Sequence, residues 1–118
     1  MEEKILLPAT RRWRGGQPLA MAAKLRLDHD ALAALLVPMP RPSVVAAIRT
    51  ILKDHNVIED GPGGLYEQCE EFAGAEAHQI FDALHNAPEV RVAPHNDGPN
   101  VIEATRRALA RGGYDLQI

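Results

Sequence analysis

The chain of 118 residues is long enough for one hydrophobic core, and its net charge of −3 argues against nucleic acid or an anionic membrane as the main partner. Aromatic residues make up only 4% of the sequence, which favours closely packed helices over a β-sandwich. A single cysteine, Cys69, together with the lack of a signal peptide and of an apolar run of membrane-spanning length, predicts a soluble cytoplasmic protein without an internal disulfide.

The first residues show a short helical pattern that stops at a proline. Residues 2–7 carry two glutamates followed by apolar positions, and Pro8 is expected to end the helix because proline lacks an amide donor. No capping residue precedes the pattern, so we expect the last turns of a helix whose beginning is absent. The basic loop at 9–18 can grip an anion or a partner, although a solvated connection anchored by Trp13 is the favoured interpretation.

A long helix is predicted over residues 19–36, with a histidine on its inward face. Apolar residues recur there at three-to-four spacing, and His29 takes the position between two of the leucines. The apolar stripe consists of Ala22, Leu25, Leu32, Leu35 and Leu36. The proline-rich segment at 38–42 must end this helix and, because it is short, makes the next helix its antiparallel neighbour.

The next predicted helix, over residues 43–59, ends with a histidine and a carboxylate on one face. Continuing its apolar stripe leads to His55 and Glu59, which lie one above the other and are expected to point into the core. The stripe itself consists of Val44, Ile48, Ile51 and Leu52. A buried carboxylate needs a partner, which a metal ion, an arginine, a second histidine or exposure at the helix end would provide.

Helical geometry predicts that the two inward histidines lie at similar heights. Measured from the connection at 38–42, His29 and His55 differ in height by about one turn on antiparallel helices. Imidazole and carboxylate together suit iron, manganese or zinc, whereas the single cysteine argues against a thiolate zinc site. The sequence therefore predicts a metal site that includes His29, His55 and Glu59.

The rest of the chain is expected to be helical packing. Helices are predicted at 65–72, 75–85 and 99–110, and the tail at 114–118 is expected either to dangle or to form a short extension. The inward residues of the first two are Leu65, Cys69 and Phe72, and then Ala77, Ile80, Phe81 and Leu84. The segment 89–92 is the only strand candidate. His78 and His85 are expected on the surface, and His95 in a turn.

These residues resemble the hemerythrin-like, or HHE cation-binding, family. The resemblance covers roughly residues 1–70 and is carried by residues 2–8, 25–32 and 52–60, followed by Leu65 and Tyr66. It implies an all-α fold, a partial four-helix bundle with two long antiparallel helices. The shorter helices at 71–118 lie outside the resemblance and are expected to form a C-terminal extension of one domain, 1–118. It also implies a non-haem di-iron cofactor, with dioxygen binding or oxygen or iron sensing as the function.

The resemblance also implies the metal ligands. His29 corresponds to the histidine of the second half of the bundle, His55 and Glu59 to its His-x-x-x-Glu pair, and Glu2 to the carboxylate that ends the first-half pair. Four of the six side chains of the family pattern are then present, and we expect an N-terminally truncated member that lacks the first helix and most of the second. A homodimer in which each chain contributes His29, His55 and Glu59 would restore six ligands.

Three functions stay open at this point. The first is a non-enzymatic metal-binding protein of the hemerythrin type, with dioxygen as a ligand. The second is a helical interaction module that kept the shape of the bundle and lost its metal. The third is a di-metal oxidase or peroxide-handling enzyme on the same helices. Because all ligand types of the second half are present, metal binding without enzymatic activity is the favoured prediction.

Overall fold

The computed structural model describes residues 2–89, 91 and 93–118, and all regular structure in them is helical. The all-α prediction is therefore confirmed for this part of the chain. The strand candidate at 89–92 includes Val90 and Val92, which lie outside the described residues. No helix in the described part combines the length and the apolar character needed to cross a bilayer.

The helices follow the predicted order, with small shifts at their ends. In chain order they are a π-helical segment (Glu2–Leu6), α1 (Leu7–Trp13), α2 (Ala22–Leu35), α3 (Pro42–Asp60), α4 (Leu65–Ala73), a 3₁₀ turn (Gly74–Glu76), α5 (Ala77–His85) and α6 (Pro99–Arg111).

The chain forms two compact units that are each built from two separate stretches of sequence. The first unit comprises Met1–Ala22 and Val57–Val90, and the second comprises Ala23–Asn56 and Arg91–Ile118. Helix α3 contributes residues to both. The prediction of a single domain over 1–118 stays a prediction.

In the first unit, Pro8 does not end the N-terminal helix, contrary to the sequence prediction. It lies in the first turn of α1, directly after the π-helical segment, a position whose helical φ the proline ring already provides. The helix therefore continues to Trp13, so residues 9–13 of the predicted basic loop are helical. Trp13 anchors the end of α1, because its Nε1 donates a hydrogen bond of 3.1 Å to Glu76 Oε2.

Helices α4 and α5 bury less apolar surface than the sequence predicts. Leu65 and Cys69 are buried as expected, but Phe72 is 40% exposed and its predicted place is taken by Ala73. No residue of α5 is buried, and Phe81 is 64% exposed. The apolar face of α5 lies along an open groove of about 400 Å³, whose other walls include Leu6 and Trp13. An open wall shields its side chains only partly, which is why periodicity alone overestimates their burial.

The core of the second unit joins α2, α3, α6 and the C-terminal tail. Its fully enclosed members are Ala31, Leu35, Val44, Ala47, Ile51 and Leu109. Tyr114, Leu116 and Ile118 pack against them, so the tail does not dangle and forms a short extension without helical structure. The hydroxyl of Thr105 adds a hydrogen bond of 3.3 Å from α6 to the Ala34 carbonyl in α2.

Two residues of the predicted apolar stripes face solvent instead. Leu36 is 62% and Leu52 37% exposed, whereas Ala31 and Ala47 are almost completely buried. Adjacent helical residues point about 100° apart, so Leu35 and Leu36, or Ile51 and Leu52, cannot both face the centre of one interface. The small side chains of Ala31 and Ala47 allow α2 and α3 to pack closely within this unit. Leu36 and Leu52, each next to a buried residue, remain exposed to solvent.

Candidate metal centre

His55 and Glu59 lie one turn apart on α3 and are both withdrawn from solvent. Their exposed fractions are 3% and 8%, on the same face as the fully buried Ile51. The sequence prediction that this apolar stripe continues into a histidine and a carboxylate is confirmed. The helix ends directly afterwards, because the Gly61 amide still bonds to the Val57 carbonyl while Gly63 adopts a positive φ of 70°.

His29 on α2 faces His55 on α3. Their ring centroids are 4.9 Å apart, with an angle of 64° between the ring planes, so the two imidazoles meet edge to face. The expectation from helical rise was a height difference of about one turn, which leaves the two histidines within reach of each other. The ring contact confirms that they are within reach.

A buried carboxylate orients His55, and the sequence analysis did not single it out. Asp28 is 0% exposed, and its Oδ2 lies 3.0 Å from His55 Nδ1. Its other oxygen, Oδ1, accepts hydrogen bonds of 2.7 Å each from Lys24 Nζ and Tyr114 Oη. A signal existed in the sequence, since Asp28 follows the buried Leu25 at helical spacing, but a charged residue is normally assigned to the outside.

The environment of Asp28 keeps its carboxyl group ionised. Burial works against the charge, but the hydrogen bonds from Lys24, Tyr114 and His55 outweigh it and hold the pKa of Asp28 below its ordinary value. An ionised carboxylate can only accept hydrogen bonds. His55 must therefore carry a proton on Nδ1, which leaves Nε2 with a lone pair in the neutral ring.

In the first unit, Tyr66 links two carboxylates. Its hydroxyl lies 2.8 Å from Glu2 Oε1 and 3.0 Å from Glu59 Oε2. Burial and the hydrogen bonds to these two carboxylates raise the pKa of Tyr66, so the phenol stays protonated and acts as a donor. A hydroxyl has one proton to donate, so Glu2 and Glu59 share it. Tyr66 thereby ties the N-terminal segment to the end of α3.

The four residues predicted as ligands lie in two pairs, one in each unit. In the first unit Glu2 and Glu59 share the Tyr66 hydroxyl, and in the second unit His29 faces His55. Two imidazole nitrogens with two carboxylate oxygens form a donor set that suits iron, manganese or zinc. The hydrogen bond from His55 Nδ1 to Asp28 has the form that metal-bound histidines use to fix their ring orientation. The residues present therefore fit a divalent metal ion.

The other histidines lie away from this cluster. His78 is on the surface, with Nε2 3.5 Å from Asp82 Oδ2, and the exposed His85 stacks on Phe81 at 6.1 Å between ring centroids. His95 Nδ1 lies 3.3 Å from the Val37 carbonyl. The surface positions predicted for His78 and His85 are confirmed, whereas His95 lies in an exposed irregular segment and not in the predicted turn.

Cys69 also behaves as predicted, as a small buried apolar residue. It is 7% exposed, and burial, with a smaller contribution from the nearby charge of Glu2, raises the pKa of its thiol to about 11. A thiol with so high a pKa is a poor nucleophile near neutral pH.

Comparisons with family models, with curated proteins and with solved structures return no match to this chain. The donor atoms and their hydrogen-bond partners are therefore the basis for a functional assignment.

Gly64 leaves no space for a side chain beside the end of α3. A Cβ there would lie 2.6 Å from the Ile58 carbonyl oxygen and 2.8 Å from that of Glu59. We expect Gly64→Ala to lower the free energy of unfolding by about 1–3 kcal/mol, because backbone around Glu59 must shift to accept the methyl group. Urea denaturation followed by circular dichroism measures this change.

Gly63→Ala provides the matched control for this prediction. Gly63 has a positive φ of 70° but open space around its Cβ position, so alanine there meets strain without a clash, at a cost of about 1 kcal/mol. Gly64→Ala should be the more destabilising of the two. A Gly64→Ala protein as stable as the original would show that the turn has room that the carbonyl distances exclude.

Proposed function

We propose that this chain is a metal-binding protein that holds iron through Glu2, His29, His55 and Glu59. The observation that supports the proposal is the pair of facing imidazoles in the second unit, His29 and His55, with His55 held by the buried Asp28. Two histidines and one carboxylate with open positions are a common ligand set for non-haem ferrous iron, and a second carboxylate is at hand. The absence of a thiolate among these donors favours iron or manganese over a structural zinc site.

Each of the neighbouring side chains has a task in such a site. Asp28 accepts the Nδ1 proton of His55 and leaves Nε2 to the ion, while Tyr66 donates a hydrogen bond to the two glutamates. The burial of His55 and Glu59 keeps water away from two of the four donors. When bound there, iron would supply the capacity to bind dioxygen or to exchange an electron with it.

The more specific part of the proposal is a hemerythrin-type protein. The resemblance of residues 2–8, 25–32 and 52–60 to the hemerythrin-like family supports it, and so does the all-helical fold in which α2 and α3 share a core. Four side chains suffice for one ion with open positions, whereas a di-iron centre would need donors from elsewhere. We therefore propose that a second copy supplies them in a homodimer, which sedimentation of the iron-loaded protein at micromolar concentration would detect.

Iron binding is tested by anaerobic titration of the metal-free protein with ferrous iron, followed by elemental analysis of the loaded protein. We expect at least one iron per chain, and an affinity that falls by about a hundredfold or more in His55→Ala, because loss of a ligand should exceed the 10–100-fold cost of losing one of its hydrogen-bond partners. Visible absorption after exposure to air should decrease in the same variant.

His78→Ala is the matched control for this titration. It removes a histidine whose side chain is 85% exposed and pairs only with Asp82 among the described contacts, so iron binding should be unchanged. Iron far below one per chain, equal in the original protein and in His55→Ala, would contradict the proposal and favour the helical interaction module. Consumption of dioxygen or peroxide over many turnovers would instead indicate an oxidase.

A further inference from the structure

The two oxygens of Asp28 serve different partners. Oδ1 accepts hydrogen bonds from Tyr114 Oη and Lys24 Nζ, each of 2.7 Å, while Oδ2 faces His55 Nδ1 at 3.0 Å. The terminal torsion of an aspartate has no sharp minimum of its own. The two donors at Oδ1 therefore determine the angle at which Oδ2 meets the imidazole ring.

Tyr114 is itself held in place by its surroundings in the second unit. Its amide donates a hydrogen bond of 2.9 Å to the Leu109 carbonyl at the end of α6. Lys24 Nζ lies 4.2 Å from the centre of its ring and donates a hydrogen bond of 2.8 Å to the Gly112 carbonyl. Beyond it, Leu116 and Ile118 pack against the core of the unit. The C-terminal tail thus has a defined position although it contains no helix.

We propose that Tyr114 is a positioning residue for the candidate metal centre, acting through Asp28 to keep the Nδ1 proton of His55 engaged and its Nε2 directed to a metal ion. Among the described contacts, the hydroxyl of Tyr114 meets Asp28 and Lys24, so its effect on His55 passes through one carboxylate. The metal-binding part of this inference rests on the proposed function, whereas the orientation of His55 by Tyr114 and Asp28 is a property of the metal-free protein as well.

The consequence is that the C-terminal tail influences the metal affinity of a site whose residues lie far earlier in the sequence. Tyr114 lies 86 residues from Asp28 along the chain. Movement of the tail would withdraw one of the two donors from Oδ1, after which the carboxylate can rotate and His55 can exchange its tautomer. The tail would then act on metal affinity without contributing a ligand.

The test compares Tyr114→Phe with the original full-length protein in two measurements. Nitrogen-15 NMR of the imidazole rings, without metal, reports the tautomer of His55, and competition with a chromogenic chelator gives the affinity for Zn²⁺ as the probe ion. We expect His55 to be in the Nδ1–H form in the original protein and a mixture of forms in Tyr114→Phe. Zn²⁺ binding by the variant should be weaker by about tenfold, as for other partners of metal-bound histidines.

Leu116→Ala serves as the control, because it removes packing from the same tail and leaves the hydroxyl of Tyr114 in place. It should lower stability without changing the tautomer of His55. If Tyr114→Phe does not fold, Lys24→Met removes the other donor to Oδ1. The same two measurements then apply, and the same changes in the His55 tautomer and in the Zn²⁺ affinity are expected. Unchanged His55 signals in the folded variant would overturn the inference, whether or not Zn²⁺ binds.

The two measurements also separate this inference from the proposed function. A tautomer change in Tyr114→Phe, in a protein that binds neither Zn²⁺ nor iron, would support the positioning of His55 and reject the metal-binding proposal. A change in Zn²⁺ affinity of equal size in Leu116→Ala and Tyr114→Phe, with constant tautomers, would assign a purely structural role to the tail and overturn the inference.

Discussion

Asp28→Ala is expected to lower the free energy of unfolding by about 3 kcal/mol at neutral pH. The substitution removes the common acceptor of Lys24, Tyr114 and His55. Removing one partner of a buried charged network leaves the other groups desolvated without compensation, which is among the larger effects of a single substitution. Urea denaturation of both proteins in the absence of metal measures the difference.

The effect of Asp28→Ala should depend on pH in a defined direction. Since the folded pKa of Asp28 lies below its ordinary value of 3.8, the carboxylate stabilises the fold fully only above that value. The stabilisation decreases as the pH falls from about 4 through the lowered pKa of the folded state. The difference in the free energy of unfolding between the original protein and Asp28→Ala should therefore be large at pH 7 and smaller near pH 3.

Asp30→Ala is the natural comparison, because Asp30 lies on the same helix with an exposed side chain. Its effect should stay within about 0.5 kcal/mol. A similar stability loss in both variants would mean that the helix is sensitive to any aspartate replacement, and a negligible loss in Asp28→Ala would contradict the hydrogen-bond network around it.

Ile51→Ala is expected to destabilise the protein by about 2–5 kcal/mol, the usual range for removing most of a buried isoleucine side chain. Ile51 is 0% exposed and packs with the core residues of α2, α3 and α6. The cavity would open one turn before His55 on the same helix face, so looser packing around the imidazole is expected as well. Thermal and urea denaturation both measure the loss.

Leu52→Ala tests the orientation of α3 directly, since the sequence predicted that Leu52 and Ile51 both face inward. Leu52 is 37% exposed, so its replacement should cost less than about 1.5 kcal/mol. Equal losses in Ile51→Ala and Leu52→Ala would indicate a helix rotated from the one described. A large loss confined to Ile51→Ala would support the described interface.

The success of the sequence analysis at His29, His55 and Glu59 has a simple physical origin. Helical periodicity is local, and a long helix with a regular apolar stripe fixes the direction of each side chain to within a fraction of a turn. Two such helices joined by a short proline-rich connection must be antiparallel, so the relative height of His29 and His55 follows from counting residues. The proximity of His29 and His55 could thus be predicted from the sequence.

Prediction was weaker where the partner of a helix decides burial. Phe72 on α4 and Phe81 on α5 lie on amphipathic faces, yet both remain exposed, Phe81 because α5 borders an open groove. Pro8 was expected to stop a helix, whereas its place in the first turn of α1 makes it compatible with continuation. Periodicity states which face of a helix is apolar, but it does not state how completely another element covers that face.

By itself, the sequence determined the helical class, the order of the helices and the inward direction of His29, His55 and Glu59, because all of these depend on spacing along one helix or across one short connection. Only the tertiary structure decided that Asp28 is buried and that Tyr66 joins Glu2 to Glu59. It alone also showed that Tyr114 reaches Asp28 from the far end of the chain. These contacts join residues distant in sequence, and their energy depends on polar groups that become partners only after the helices have packed.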